Sequence, residues 1–86
     1  MSYSIELRPA ADRALKKLPH DEQQRIIQAI IALAKNPRPT GSKKLRIPEG
    51  WYRLRVGHYR VIYDVQDTRL LIVVIRIAHR REVYRF

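Results

Sequence analysis

Residues 52–63 read YRLRVGHYRVIY, and this stretch constrains the fold more strongly than any other part of the chain. Apolar and polar residues alternate on both sides of Gly57-His58, which is typical of two strands joined by a two-residue turn. Glycine supplies the positive φ that the first position of a type II′ turn needs, so the turn also fixes the register. The predicted cross-strand pairs are Val56–Tyr59, Arg55–Arg60, Leu54–Val61 and Arg53–Ile62.

Strand alternation divides this hairpin into two faces of opposite character. The apolar face carries Tyr52, Leu54, Val56, Tyr59, Val61 and Tyr63, and the other carries Arg53, Arg55 and Arg60, flanked by Trp51 and Asp64. Like charges directly opposite each other cost up to about 1 kcal/mol per pair. An anion would offset this repulsion, and a guanidinium suits phosphate because its planar fork donates two parallel hydrogen bonds. The alternative is a solvated face whose arginine stems cover apolar sheet.

The rest of the chain predicts two helices and further strands. One helix begins at Pro9 and is closed by Pro19, and residues 21–35 form a second helix. Its predicted apolar stripe is Ile26, Ile27, Ile30, Ile31 and Ala34. The predicted strands are 3–8, 51–56, 59–65 and 69–77, with a short strand at KLRI (44–47).

This order, β-α-α-β-β-β, predicts an α+β domain in which an antiparallel helical hairpin packs on a mostly antiparallel sheet. The run LLIVVIRIA (70–78) is apolar at almost every position, which is expected of a central strand covered on both faces. With 86 residues, 45% of them hydrophobic, we expect a single globular domain over residues 1–86.

Composition narrows the classes of function. The chain has no cysteine, which excludes disulfides and thiolate chemistry, and no apolar stretch approaches the ~20 residues of a membrane span. We therefore expect a cytoplasmic protein without membrane attachment. The sequence has no Gly-rich phosphate loop and no cluster of metal-ligand residues, so we expect neither a cofactor nor a metal.

Positive charge is concentrated in the second half of the chain. Lys and Arg number 18 against 8 acidic residues, for a net charge of +10. Residues 1–37 have 6 bases and 4 acids, and residues 38–86 have 12 bases and 4 acids. This asymmetry favours a polyanionic partner such as nucleic acid, an acidic protein or an anionic membrane. The tail AHRREVYRF (78–86) combines arginines with a tyrosine, as single-stranded RNA recognition does through phosphate contacts and base stacking.

The run WYRLRVGHYRVIYDV, the apolar strand after it and then HRREVYR resemble the RelE/ParE superfamily of toxins from type II toxin–antitoxin modules, in particular the RelE-like branch. The likeness extends over nearly the whole chain, including the helical hairpin and NPRPTGSKKLRI. It implies the RelE-like fold. It also implies an endoribonuclease that enters the ribosomal A site and cuts mRNA without a metal, by attack of the RNA 2′-hydroxyl on its own phosphate.

The resemblance also implies roles for individual residues. Arg53 and Arg55 match lysines that hold or deprotonate the reacting nucleotide, and Arg60 matches an arginine that stabilises charge on the phosphate. Arg80 matches a second such arginine, with Arg81 as the alternative. Tyr84 matches a tyrosine that stacks on or orients the base. The residues expected to contact RNA or the ribosome are Lys43, Lys44, Arg46, Arg81 and Arg85.

The general base is left open, because a guanidinium has a very high pKa and is therefore a poor proton acceptor. The alternatives are Tyr84, His79, a group of the ribosome, or catalysis by positioning and charge alone. For the protein as a whole, the alternatives are a ParE-like toxin that binds DNA gyrase and a non-catalytic RNA- or acidic-protein-binding module. Each toxin reading implies a cognate antitoxin with an acidic segment and an amphipathic helix.

Overall fold

Two helices lie on one face of a five-stranded sheet in the computed structural model, which describes residues 2–46, 48–79 and 81. In chain order the elements are β1 (Ser4–Leu7), α1 (Pro9–Lys16), α2 (His20–Leu33), β2 (Lys43–Lys44), β3 (Trp51–Val56), β4 (Tyr59–Gln66), a 3-10 turn (Asp67–Arg69) and β5 (Leu71–His79). The strand order is β1-β5-β4-β3-β2, with β1 parallel to β5 and the other neighbours antiparallel. The predicted α+β class and mostly antiparallel sheet are confirmed.

The β3–β4 hairpin has the register that its turn predicts. Val56 pairs with Tyr59, Arg55 with Arg60, Leu54 with Val61 and Arg53 with Ile62. Gly57 has a φ of 60°, and Leu70 is the one non-glycine residue with a positive φ in the described part of the chain. His58 therefore has a negative φ. A type I′ turn needs a positive φ at both central residues and a type II′ turn only at the first, so the φ values fit type II′.

The main core forms where the helices meet the apolar face of the hairpin. Ala11 and Leu15 of α1 and Ile26, Ile30 and Leu33 of α2 are buried there. The sheet contributes Val56, Val61, Tyr63, Val65, Ile72, Val74 and Ile77, and Tyr52, Leu54 and Tyr59 pack against them. All six residues predicted for the apolar face thus belong to the core or contact it. We call this side of the sheet the helix side and the opposite side the outer side.

The apolar stripe predicted for the second helix is partly wrong. Ile26 and Ile30 are buried, but Ile31 is 60% exposed, and Leu33 is buried instead. The helix also ends at Leu33 rather than at residue 35, so Ala34 follows it as the C-cap residue. At 100° per residue, Ile31 falls at the margin of the buried face, where the sheet no longer covers it.

The last strand departs from simple alternation. It lies between β1 and β4, and the middle position of the sheet belongs to β4. Its pairing with β4 shifts between Ile62 and Tyr63, because Ile62 pairs with Arg76 whereas Tyr63 pairs with Val74. Ile75 is the extra residue of this irregularity. The shift puts Ile77, and not Arg76, on the helix side, whereas Ala78 lies on the outer side opposite Arg60.

The predicted starts of β5 and of the short strand before β3 also differ from the structure. β5 begins at Leu71 and not at residue 69, because Asp67–Arg69 form a 3-10 turn that Leu70 closes in the left-handed conformation. The short strand predicted at 44–47 is confined to Lys43–Lys44, and residue 47 lies outside the described residues. No helix in the described part of the chain combines the length and apolarity needed to span a bilayer.

The left-handed backbone of Leu70 gives a test of this corner. Leu70 has φ 50° and ψ 47°, a conformation in which a Cβ atom costs about 1 kcal/mol. We expect Leu70→Gly to be more stable than Leu70→Ala by about 1 kcal/mol in urea unfolding, since both variants lose the same side chain. An alanine variant as stable as the glycine variant would contradict the left-handed assignment.

Candidate phosphate-binding site

Four cationic side chains surround one pocket on the outer side of the sheet. The pocket has a volume of about 180 Å³ and is lined by Gly41, Lys43, Arg53, Arg55 and Arg60. Arg55 lies directly opposite Arg60 in the hairpin, and Lys43 lies directly opposite Arg53 on the neighbouring edge strand. No acidic residue lines the pocket. A pocket of this size is too small for a drug-sized ligand but suits a phosphodiester group.

A small apolar cluster lies beside these charges. Ile62 and Ala78 are buried on the outer side, and Leu45, Trp51 and Ile75 pack against them. Arg53 pairs with Ile62 and Arg60 pairs with Ala78, so two of the guanidinium groups leave the sheet next to this cluster. An apolar neighbour lowers the local dielectric constant, which strengthens the attraction of these cations for a bound anion.

Arg38 anchors the loop that leads from α2 to the pocket. Its Nη2 donates to Asp67 Oδ2 at 2.8 Å, its Nη1 donates to Asp67 Oδ1 at 3.3 Å, and its Nε donates to the Tyr52 hydroxyl at 2.8 Å. The Tyr3 hydroxyl also donates to Asp67 Oδ1, at 2.6 Å. One residue earlier in the loop, the Pro37 carbonyl accepts a hydrogen bond from buried Tyr63 at 2.8 Å. The loop is therefore fixed to the sheet a few residues before it reaches the pocket.

The contacts within this anchor favour the protonation states that its hydrogen bonds require. The hydrogen bond from Arg38 lowers the pKa of Asp67, with a smaller effect from the Tyr3 hydroxyl, and the same ion pair raises the pKa of Arg38. The hydrogen bond to Asp67 raises the pKa of Tyr3. Burial raises the pKa of Tyr63, so its hydroxyl keeps the proton that it donates to the loop. The anchor is consequently complete at neutral pH.

Sequence patterns did not reveal this anchor. Arg38 and Asp67 are 29 residues apart and belong to two connecting segments, which no periodicity relates. The local signal is Asn36-Pro37-Arg38, where the Asn36 side chain accepts a hydrogen bond from the Arg38 backbone at 3.3 Å. That contact marks a turn, and it does not identify the residue that the arginine binds.

The structure brings some of the predicted site residues together and separates others. Lys43 lines the pocket, but Lys44 pairs with Tyr52 and therefore belongs to the helix side of the sheet. Arg46 and Arg81 are exposed and are not among the residues that line the pocket. Arg80, Tyr84 and Arg85 lie outside the described residues, so their predicted roles stay predictions.

His79 is directed away from the arginines. It pairs with Tyr59, whose ring packs against the main core, so its side chain lies on the helix side. There its ring stacks on His58 at a centroid distance of 6.3 Å and meets the Tyr59 ring edge-on at 5.6 Å. His79, one of the alternatives for the general base, therefore lies on the face opposite the arginines, because alternation turns its side chain to the helix side.

No group of three His, Asp or Glu residues in 2–46, 48–79 and 81 is arranged to hold a metal ion. What the pocket offers is a set of hydrogen-bond donors with positive charge. This arrangement can bind a phosphate and stabilise additional negative charge on it.

Comparison with known proteins gives one consistent family. The model of the family described as ParE toxin of type II toxin-antitoxin system, parDE, matches residues 5–84. Toxin RelG of Mycobacterium tuberculosis is 31% identical over 90 residues, covering 99% of each chain. The mRNA interferase toxin RelE of Escherichia coli is 25% identical over 87 residues, covering 98% of this chain and 92% of its own length.

A solved structure agrees with these sequence matches. The archaeal RelE–RelB complex from Pyrococcus horikoshii contains a chain that superimposes with a TM-score of 0.84 at 28% identity. The match covers 95% of this chain and 99% of that one. The RelE-like fold expected from the sequence is confirmed.

Repulsion within the pocket predicts how charge removal affects stability. We expect Arg55→Gln to stabilise the protein by about 0.5 kcal/mol at low salt, because it removes the like charge opposite Arg60. The gain should vanish near 1 M NaCl, where screening acts within about 3 Å. Urea unfolding at both salt concentrations measures it, with Lys35→Gln at an exposed position as the control. Equal effects of the two variants would show that the pocket charges do not repel.

Proposed function

This chain belongs to the ParE toxin family of type II toxin–antitoxin systems, with RelE-like toxins among its relatives, and we propose that it is an endoribonuclease that cuts mRNA on the ribosome. The observation that carries the proposal is the pocket of four cations with no lining acid. The Escherichia coli relative named mRNA interferase supports it.

In the proposed reaction, all the bonds that form and break belong to the RNA, apart from the bonds to the transferred protons. The 2′-hydroxyl oxygen attacks the adjacent phosphorus, the bond from phosphorus to the next nucleotide's 5′-oxygen breaks, and the products are a 2′,3′-cyclic phosphate and a 5′-hydroxyl. Negative charge develops on the phosphate oxygens in the transition state. Fixed guanidinium groups next to an apolar surface stabilise that charge, and such electrostatic stabilisation is usually the largest catalytic contribution.

Each pocket residue has a part in this proposal. Arg53 and Arg55 hold the scissile phosphate from its two sides. Arg60 stabilises the negative charge that develops on the phosphate oxygens. Arg80 or Arg81 adds a second such charge and Tyr84 stacks on the base. The residues proposed to contact the mRNA or ribosomal RNA are Lys43, Lys44, Arg46, Arg81 and Arg85.

The experiment is cleavage of an mRNA on purified translating ribosomes, with cut sites mapped by primer extension. We expect wild-type protein to cut within the A-site codon, and Arg53→Gln and Arg60→Gln each to lose about 10²–10³-fold in rate. Arg13→Gln, an exposed arginine on α1, is the matched control and should cut as wild type.

Three results would contradict the nuclease proposal. Full cleavage by the Arg53→Gln, Arg60→Gln double variant would show that the pocket is not the site. Double-strand DNA breaks with intact mRNA would identify a gyrase-directed toxin. Salt-sensitive RNA binding without any cleavage would identify a binding module.

The partner that restrains this activity is proposed to be an antitoxin, whose acidic segment covers the pocket cations and whose amphipathic helix covers an apolar groove on the helix side. The groove has a volume of about 290 Å³ and is lined by Ile5, Leu7, Leu15, Ile27, Ile30 and Ile31. Ile31, which lines this groove, is 60% exposed, although large apolar side chains are usually buried. The archaeal structural neighbour is itself described as a RelE–RelB complex, which supports a protein partner.

A charge in the groove should separate antitoxin binding from catalysis. We expect Ile31→Asp to weaken binding of the cognate antitoxin at least about 10-fold, since a buried methylene group contributes about 0.8 kcal/mol. Cleavage on ribosomes should be unchanged. Leu70→Asp, at the other large exposed hydrophobic residue of the described chain, is the control for nonspecific effects. Unchanged antitoxin affinity, measured by calorimetry, would place the partner elsewhere.

A further inference from the structure

The proposed reaction requires a group that accepts a proton, and this inference rests on that proposed function. When the 2′-oxygen bonds to phosphorus it releases its proton, and the departing 5′-oxygen takes one up, so protons balance over the whole reaction. The first transfer still needs an acceptor within hydrogen-bond reach of the 2′-oxygen, and among the residues that the structure describes this means one that lines the phosphate pocket.

The pocket-lining residues differ sharply in their ability to accept a proton. Gly41 has no side chain, and three of the other residues are arginines, whose guanidinium groups are poor proton acceptors. Lys43 carries a primary amine, which can exist in a neutral form and accept a proton. We propose that Lys43 is the general base that removes the proton from the attacking 2′-hydroxyl.

Local structure directs Lys43 into the pocket. β2 consists of two residues, and the pair Lys43–Arg53 puts the two side chains on the outer side, whereas the next pair, Lys44–Tyr52, faces the helix side. The like charges of Lys43 and Arg53 oppose this pairing. A strand of two residues therefore needs stabilising contacts from other parts of the chain. The anchor of Arg38 on Asp67 and the Ser42 hydroxyl, which donates to the Pro39 carbonyl at 2.8 Å, hold the approach to β2.

The surrounding charges suit a base that becomes cationic during the reaction. A neutral amine is not repelled by the three guanidinium groups that share the pocket. When it takes the proton, the pocket gains one positive charge as the phosphate oxygens gain negative charge. The new positive charge on the amine therefore lies next to the negative charge that develops on the phosphate oxygens in the transition state, and each stabilises the other.

Lys43→Arg tests the assignment because arginine keeps the positive charge but does not exchange a proton. The measurement is the single-turnover cleavage rate on translating ribosomes across roughly pH 6–9. We expect the wild-type rate to rise with pH. Lys43→Arg should lose about 10²–10³-fold in rate together with that pH dependence, and its affinity for ribosomes should be retained. Lys35→Arg, at an exposed position outside the proposed site, should match wild type.

The outcomes separate this inference from the function on which it rests. If wild-type protein cuts no mRNA, the nuclease proposal fails. If wild type cuts and Lys43→Arg has the same rate and pH profile, the assignment of Lys43 alone is wrong. In that second case a Tyr84→Phe variant that loses the pH dependence would assign the proton transfer to the tail. Partial rescue of Lys43→Ala by added ethylamine would support Lys43, because a small amine can replace the missing base.

Discussion

The register of the β3–β4 hairpin is the constraint on which the rest of the molecule depends. The two-residue turn at Gly57-His58 pairs Arg55 with Arg60, and every later pair follows from that one. A slip of one residue would exchange the two faces, moving the arginines into the core and the aromatic side chains into water. Since buried, unpaired charge is far more costly than the repulsion between exposed arginines, this register is strongly favoured over its alternatives.

The same register couples folding to the site. The helix side of the hairpin supplies four of the twelve buried residues of the main core, including fully buried Tyr63, and the outer side supplies three of the four pocket cations. Tyr63 also donates to the loop that delivers Lys43, so a core residue helps to position the pocket wall. The sheet is thus a rigid base on which cations are held at fixed spacing despite their repulsion, and that spacing is what preorganised binding of a phosphate requires.

Local patterns in the sequence predicted the elements whose structure depends on neighbours in the chain. The hairpin, both helices and the convergence of Arg53, Arg55 and Arg60 follow from alternation, helical spacing and one turn. The patterns failed where distant contacts decide. The irregularity at Ile75 depends on how β5 meets β4, and the exposure of Ile31 depends on where the sheet ends.

The candidate site likewise could be predicted from the sequence only where its residues are close together in the chain. The hairpin arginines could be grouped from sequence because they are local, but the Arg38–Asp67 anchor could not, because it joins two connecting segments. His79 was an alternative for the general base, and a period of two puts it on the helix side, away from the arginines. The family resemblance supplied the roles of Arg80 and Tyr84, which lie beyond the described residues and which no local pattern establishes.

The most direct test of the central claim is a crystal structure of the protein with an RNA dinucleotide whose attacking 2′-hydroxyl is replaced by hydrogen, so that it cannot react. The account predicts that the phosphate between the two nucleosides lies on the outer side, with its oxygens in hydrogen-bond contact with Arg53, Arg55 and Arg60. A phosphate bound elsewhere, for example in the cleft beside β1 that Arg8 and Arg69 line, with the pocket of four cations unoccupied, would contradict it.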